Sequence, residues 1–256
     1  MVESKREIKN SEFLYITEYS NSVMDGVTVV TAVLNEGENI GNFMRSLDSV
    51  GDVQELVIVD DGSTDSTLET INSFKGHYSL KLIRRDRKMG TVSAQIAGAR
   101  QASSEFVVVM DADMQHDPSI IKILDEEIRK GYDIVIASRM VDGGASNRPP
   151  VRGIISRGAN FLAHLFIPQT RGVRDIMSGY FIARREIVAD LRDLKDSYKI
   201  LLYIFASRRG LRYTEIPYKF KPRSGGESKV VSGLDFLLRY LAELMHYVRV
   251  EFNVEG

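Results

Sequence analysis

Asp111, Asp113 and Gln115 stand two residues apart, directly after the apolar run Phe106-Val107-Val108-Val109-Met110. On an extended backbone that spacing points three oxygen-bearing side chains the same way. Hard oxygen ligands with room left for phosphate suit Mg2+ or Mn2+ rather than zinc. A plainer reading competes, an Asp-rich turn capping a helix that begins at Pro118, with Asp117 as its N-cap. Asp117 is expected to be that cap. His116, between them, is either a metal ligand or a loop histidine bonded to backbone.

A second carboxylate group, Asp60-Asp61-Gly62-Ser63-Thr64-Asp65, follows the apolar stretch 55–59. Carboxylates at the carboxyl end of a strand can accept hydrogen bonds from ribose hydroxyls or a base N–H. They can also form a tight turn at Gly62 with Ser63, Thr64 or Asp65 capping a helix. The expected division is Asp65 structural and Asp60 or Asp61 functional. Glu36, after Leu34-Asn35, either lines the same edge or serves as a first-turn helix acid. No G-x-G-x-x-G or G-x-x-x-x-G-K-[ST] occurs at these junctions, which argues against a dinucleotide-binding dehydrogenase and a P-loop ATPase.

Positioning these groups takes a particular set of elements. Apolar and β-branched runs predict strands over 27–33, 55–59, 80–84, 106–110 and 134–137, alternating with helices over 38–50, 66–74, 91–102 and 118–130. That alternation implies an α/β fold, a mostly parallel sheet with right-handed crossovers and helices on both faces. Beyond Ser138 the pattern changes to a Gly/Asn/Pro loop over 142–150, an apolar-rich helix over 153–167 and a strand over 179–183. A helix over 198–208, a strand over 212–218, a basic loop over 219–229 and a long helix over 230–250 complete it. The expected organisation is a polar, weakly ordered extension (1–25), one catalytic domain (26–229) and a C-terminal amphipathic helix (230–256).

The 256 residues, 43% hydrophobic and 27% charged, are enough for one sizeable core. A net charge of −1 gives no global attraction to nucleic acid or membrane. Charge is uneven, however. The segment 143–174 carries Arg148, Arg152, Arg157, Arg171 and Arg174 and no acid, and 208–229 holds seven basic residues against Glu215 and Glu227. Two basic blocks beside acidic strand ends suggest an anionic ligand. They lack the interleaved aromatic platforms of a nucleic-acid binder. The absence of cysteine excludes disulfides and thiolate chemistry. The first 24 residues show no apolar signal region, and no apolar stretch reaches the ~20 residues that cross a bilayer. The expectation is a peripheral protein on the cytoplasmic face of a membrane, held there directly or by an integral membrane partner subunit.

In order along the chain, three runs resemble inverting family-2 glycosyltransferases of the GT-A fold: Thr28-Val29-Val30-Thr31-Ala32-Val33-Leu34-Asn35-Glu36, Val57-Ile58-Val59-Asp60-Asp61-Gly62-Ser63-Thr64-Asp65 and Val109-Met110-Asp111-Ala112-Asp113-Met114-Gln115-His116. Four more, Ala137-Ser138-Arg139, Ser156-Arg157-Gly158-Ala159-Asn160, Met177-Ser178-Gly179-Tyr180 and Arg223-Ser224-Gly225-Gly226-Glu227-Ser228-Lys229, are similar to the polyprenyl-phosphate branch, the dolichol-phosphate mannose synthase-like enzymes. The resemblance implies Mg2+ or Mn2+ on Asp111, Asp113 and Gln115. It implies a nucleotide sugar bordered by Ala32, Leu34, Glu36, Val59, Asp61, Asp111 and Ala112, and a catalytic set of Asp113, Arg139, Arg157, Arg223 and Lys229. The implied donor is GDP-mannose and the acceptor dolichyl or another polyprenyl phosphate. Ala32 and Leu34 depart from the Pro and Tyr usual at their positions. A UDP-sugar donor (glucose or N-acetylhexosamine), a hydroxyl acceptor, and a non-catalytic nucleotide-sugar module are the alternatives.

For a hydroxyl acceptor, Asp175 is the candidate base; its other reading is a turn or cap carboxylate. Two helices bear on the membrane. Ile154, Ile155, Phe161, Leu162, Leu165, Phe166 and Ile167, flanked by Arg148, Arg152 and Arg171, predict an interfacial helix. Leu234, Leu237, Leu238, Leu241, Leu244, Met245 and Val248 form a stripe that is either interfacial or core-facing, with Arg239, Glu243 and Arg249 elsewhere.

Overall fold

The computed structural model describes residues 15–19, 26–146, 150–192, 199–222 and 234–252. Strands β1 (Tyr15–Tyr19), β2 (Val27–Val33), β3 (Val53–Asp60), β4 (Ser79–Arg84), β5 (Phe106–Val109) and β6 (Ile134–Ser138) belong to the main sheet. A short β7 (Ala145–Ser146) stands outside it, β8 (Phe181–Arg184) and β9 (Tyr213–Pro217) rejoin it, and β10 (Lys219–Phe220) pairs with β7 in parallel. The eight-stranded order is β1-β4-β3-β2-β5-β8-β6-β9, with only β1 and β8 reversed. Residues 15–19 correct the expectation of a weakly ordered extension. Their backbone pairs antiparallel with β4 and closes the sheet edge, a long-range pairing that local polarity does not reveal.

The continuous Val/Ile runs of β2, β3 and β5 fit strands covered on both faces, and two apolar layers cover them. On one face α1 (Ile40–Asp48), α2 (Thr67–Ser73) and α4 (Ile121–Ile128) supply Phe43, Met44, Leu47, Ile71 and Leu124 to the core. On the other lie α3 (Thr91–Gln101), α5 (Pro150–Phe166), α6 (Arg185–Ala189), α7 (Ile200–Ser207) and α8 (Leu234–Phe252). Helix α3 approaches the sheet so closely that a Cβ on Gly98 would stand 2.5 Å from Val30 Cγ1.

The chain runs outward from β2 through β3 to β4, then returns to place β5 on the other side of β2. This reversal makes a switch point, and the crevice outside the carboxyl ends of β2 and β5 is where such sheets take ligands. β8 enters antiparallel between β5 and β6, and brings Ser178, Gly179 and Tyr180 to the same edge.

Candidate active site at the sheet switch point

β5 stops at Val109, so the acidic residues beyond it are not on an extended strand, contrary to the expectation from their spacing. The chain bends instead. Asp113 Oδ1 accepts the Gln115 N–H at 3.1 Å, and Met114 sits at φ 64°. An Asp side chain offering the backbone this local bond favours a turn over a strand. Gln115 is then pulled toward the chain after β10: its Nε2 donates to Lys221 O at 3.2 Å, and its carbonyl accepts Lys221 N–H at 2.9 Å. Asp117 caps the 3-10 turn Pro118–Ile120 by accepting Ser119 N–H, as the sequence indicates, and pairs with Lys221 Nζ at 2.7 Å. Burial pushes the Asp117 carboxyl up, but the bonds from Lys221 and Ser119 outweigh it and hold it below the usual range.

Asp111 keeps 44% of its side chain exposed at the crevice, with Oδ2 3.5 Å from Nε2 of His116. Among the described residues no three His, Cys, Asp or Glu side chains converge as a ready-made metal cage. Two carboxylates and an amide oxygen nonetheless suit Mg2+ or Mn2+, which are held by few protein oxygens and complete their shells with phosphate and water. With Gln115 Nε2 donating to Lys221 O, Oε1 is the atom of that amide that could face a cation.

His116 is held by side chains rather than by backbone, unlike the backbone-bonded loop histidine of the plainer reading. It is buried, its Nδ1 lies 3.3 Å from Tyr218 Oη, and its ring packs edge-on to Tyr180 and Phe220 and stacks on Tyr218. Burial and the nearby Asp117 and Tyr218 raise the Tyr180 phenol far above its ordinary value, so it remains a donor, to Asp117 O at 3.0 Å. Lys199 was missed by the sequence reading. A Cβ on Gly179 would lie 3.5 Å from Asp111 Oδ2 and 3.8 Å from both His116 Nε2 and Lys199 Nζ, so a cation joins the edge there.

Just past β6, Arg139 makes a two-pronged ion pair with Asp175, Nε to Oδ2 at 2.8 Å and Nη2 to Oδ1 at 2.6 Å. The Arg139 N–H adds a third bond to Oδ2, and the guanidinium lies over the Phe220 ring. Desolvation lowers the Arg139 pKa, and the Asp175 bond and charge more than reverse it. Asp175 is fully buried, and Glu215 in turn accepts the N–H groups of Arg174 and Asp175. The base reading of Asp175 is therefore corrected: both oxygens are committed to holding Arg139.

At the end of β3 the acidic cluster faces inward. Asp60 accepts Ser63 N–H. Asp61 accepts Met89 N–H and Gly90 N–H, each at 2.9 Å, and pairs with the buried Arg85 at 3.3 Å. Asp65 accepts the N–H groups of Thr67 and Gly37, both at 3.0 Å, the structural role expected of it. Burial opposes ionisation of Asp65, yet these bonds and the Thr67 hydroxyl keep its pKa below normal. Glu36 lies ahead of α1 rather than within its first turn, with Oε2 accepting Asn39 Nδ2 at 2.8 Å. Ala32 and Leu34 are half-buried beside it; Val59 and Ala112 belong to the core and can offer a ligand only backbone.

Arg157 is exposed on α5, while Arg223 and Lys229 lie outside the described residues. On α5, Ala159, Asn160 and Ala163 face the core, and Phe161 and Leu165 are 67% and 58% exposed. The C-terminal stripe is divided: Leu244 and Leu241 pack on the core, Leu238 and Met245 do not, and the side chains of Leu234, Leu237 and Val248 lie outside those described. Tyr240, Glu243, Leu244 and Tyr247 are buried, while Leu238 and Met245 are exposed. Aromatic packing decides this: Tyr247 stacks on Tyr203 of α7, and Tyr240 Oη donates to Ala159 O of α5. Among the described residues no helix is long and apolar enough to cross a membrane.

Residues 28–192 match the family described as Glycosyl transferase family 2. The chain is 37% identical to a dolichol-phosphate mannosyltransferase of Pyrococcus furiosus, over 90% of this chain and 68% of that protein. It is 30% identical to a dolichol-phosphate mannosyltransferase of Mycosarcoma maydis, over 92% of this chain and 83% of that one. Among solved structures, glucosyl-3-phosphoglycerate synthase of Mycobacterium tuberculosis, in complex with Mn2+, UDP-glucose and phosphoglyceric acid, superposes with a TM-score of 0.68. That match has 20% identity and covers 88% of this chain and 80% of that one, a likeness of fold.

Proposed function

The chain belongs to glycosyl transferase family 2, a family of enzymes, and on that premise we propose that it transfers a sugar from a nucleoside diphosphate to a polyprenyl phosphate. The donor is GDP-mannose, the acceptor dolichyl phosphate or a related lipid phosphate, and the anomeric centre inverts. The observation that carries this reading is the half-exposed Asp111 at the switch point, flanked by Asp113 and Gln115. The naming of two relatives as dolichol-phosphate mannosyltransferases supports the choice of acceptor.

A phosphate monoester has a second pKa of about 6, so at neutral pH it is already largely a dianionic nucleophile. Such an acceptor needs no strong general base, which agrees with the commitment of Asp175 to Arg139. The work left to the protein is to orient two anions and to exclude water. Asp111, Asp113 and Gln115 would hold Mg2+ or Mn2+, which when bound neutralises charge on the departing nucleoside diphosphate. Glu36 and the backbone at Ala32, Leu34, Val59 and Ala112 border the nucleotide. Asp61 acts there through its hold on Met89 and Gly90. Arg139, fixed by Asp175, presents a cation of set direction at the end of β6. Arg157 meets the acceptor phosphate from α5, and Arg223 and Lys229 complete the phosphate contacts. A lipid tail that stays in the bilayer requires the site to come to the surface, so Phe161 and Leu165, near the exposed Arg157 and Arg171, rest on an anionic membrane.

Thermal shift with GDP and UDP, each with and without Mn2+, tests the donor side. A Mn2+-dependent shift with GDP is expected, of roughly 2.7 kcal/mol at a hundredfold excess over Kd. A shift with UDP alone would install a UDP-sugar as donor, and none with either would sink the reading. Transfer of label from GDP-mannose to a short-chain polyprenyl phosphate tests the acceptor. Co-sedimentation with anionic vesicles, weakening as salt rises, tests the membrane contact.

A further inference from the structure

His116 has a place between two parts of the site that no motif assigns. Its side chain is 2% exposed, its Nε2 stands 3.5 Å from Asp111 Oδ2, and its Nδ1 stands 3.3 Å from Tyr218 Oη. Three rings wall it in, with centroids 5.1 Å (Tyr180), 5.9 Å (Tyr218) and 5.3 Å (Phe220) from its own. The two nitrogens cannot be interchanged. An ionised carboxylate accepts only, so the nitrogen that faces Asp111 must carry the proton. In the neutral ring Nδ1 is then an acceptor, and the Tyr218 hydroxyl donates to it. The direction Tyr218 Oη–H to Nδ1, with Nε2–H facing Asp111 Oδ2, agrees with both contacts.

We propose that His116 is a positioning residue for the metal-binding carboxylate. Through Oδ2 it sets the direction of the Asp111 carboxylate at the crevice. Resting on the metal reading of Asp111, this assigns Tyr218 as the group that fixes the tautomer. Tyr218 follows β9, and its N–H donates to Ser138 O at 3.0 Å beside Arg139. The relay therefore ties Asp111 to the sheet region that carries Arg139 and that runs on through Phe220 to Lys221. Partners that orient a metal ligand are generally worth 10- to 100-fold in metal affinity or activity, about the effect expected here.

The test is Mn2+ affinity in the presence of GDP, read from the electron paramagnetic resonance signal of free Mn2+, beside turnover and melting temperature. His116→Phe keeps a ring in the aromatic box and removes the N–H. It should melt close to wild type, bind Mn2+ about tenfold or more weakly and lose kcat rather than KM. His116→Gln, whose amide can still donate to Asp111, should recover part of the affinity. Tyr218→Phe, which keeps the ring and removes the hydroxyl, should weaken Mn2+ by a few-fold and serves as the measurement should His116→Phe fail to fold. Wild-type Mn2+ affinity and kcat in His116→Phe, or in Tyr218→Phe if that variant stands in for it, would show the histidine to be packing alone and overturn the proposal. A wild-type protein that binds no Mn2+ with either nucleotide would instead overturn the metal reading beneath it.

Discussion

At the end of β3, Asp60, Asp61 and Asp65 are met by donors of their own chain: the N–H groups of Ser63, Met89, Gly90, Thr67 and Gly37, and the Arg85 guanidinium. At the end of β5, two strand positions away in the sheet and within the same carboxyl edge, Asp111 keeps nearly half its side chain in solvent. Both clusters follow buried strands and both read alike as Asp-rich turns. The difference lies in what the neighbouring elements bring. The loop before α3 folds its N–H groups over Asp61, whereas β8 enters beside β5 and brings Gly179, which has no side chain to cover Asp111. A carboxylate enclosed by backbone donors holds a loop in place; one that keeps part of its surface in solvent can reach a cation.

The comparison breaks or sharpens under substitution. The largest effect is expected from Asp61→Ala, which strands the buried Arg85 without its counter-charge. Loss of one partner of a buried pair costs about 3–5 kcal/mol, read as a lowered urea midpoint. If stability is unchanged, Asp61 is not the keystone of its loop. Next comes Asp113→Ala, with turnover falling on the order of a hundredfold, about 2.7 kcal/mol of barrier, and melting temperature nearly unmoved. An unfolded circular dichroism spectrum for this variant would make the two clusters equivalent after all.

Asp65→Ala should cost about 1 kcal/mol, as the loss of a residue that caps helix N–H groups does, and leave turnover intact. A turnover defect without loss of stability would move Asp65 into the site. The smallest effect is in acid. Asp65 and Asp117 both sit below the ordinary value of 3.8 in the fold. A group with a depressed folded pKa contributes stability above its unfolded pKa and loses it as pH falls through the folded one. Unfolding midpoints of Asp65→Asn and Asp117→Asn should therefore fall less steeply than wild type as pH drops below 3.8. Parallel curves would mean that neither carboxyl is held by its hydrogen bonds.

Much of the molecule was written locally. The runs Val27–Val33, Val53–Asp60 and Phe106–Val109 are apolar enough to be strands only where both faces are covered, and the sheet covers them. Asp117 before Pro118, and Asp65 before Thr67, state their helix-start roles in their own neighbours. The family motifs place the acidic residues on the carboxyl edge for the same reason, since strand ends are set by short-range pattern. Tertiary structure decided the rest, because partners remote in sequence carry it. Residues 15–19 became a strand by pairing with β4, and Asp175 was taken from base chemistry by Arg139, 36 positions away. His116 acquired its place from Tyr218, 102 positions along the chain, and the C-terminal helix chose its buried face by fitting Tyr240 and Tyr247 against α5 and α7. Spacing fixes which side chains a local turn can bring together; which of them remain open to a ligand depends on donors that only the folded chain delivers.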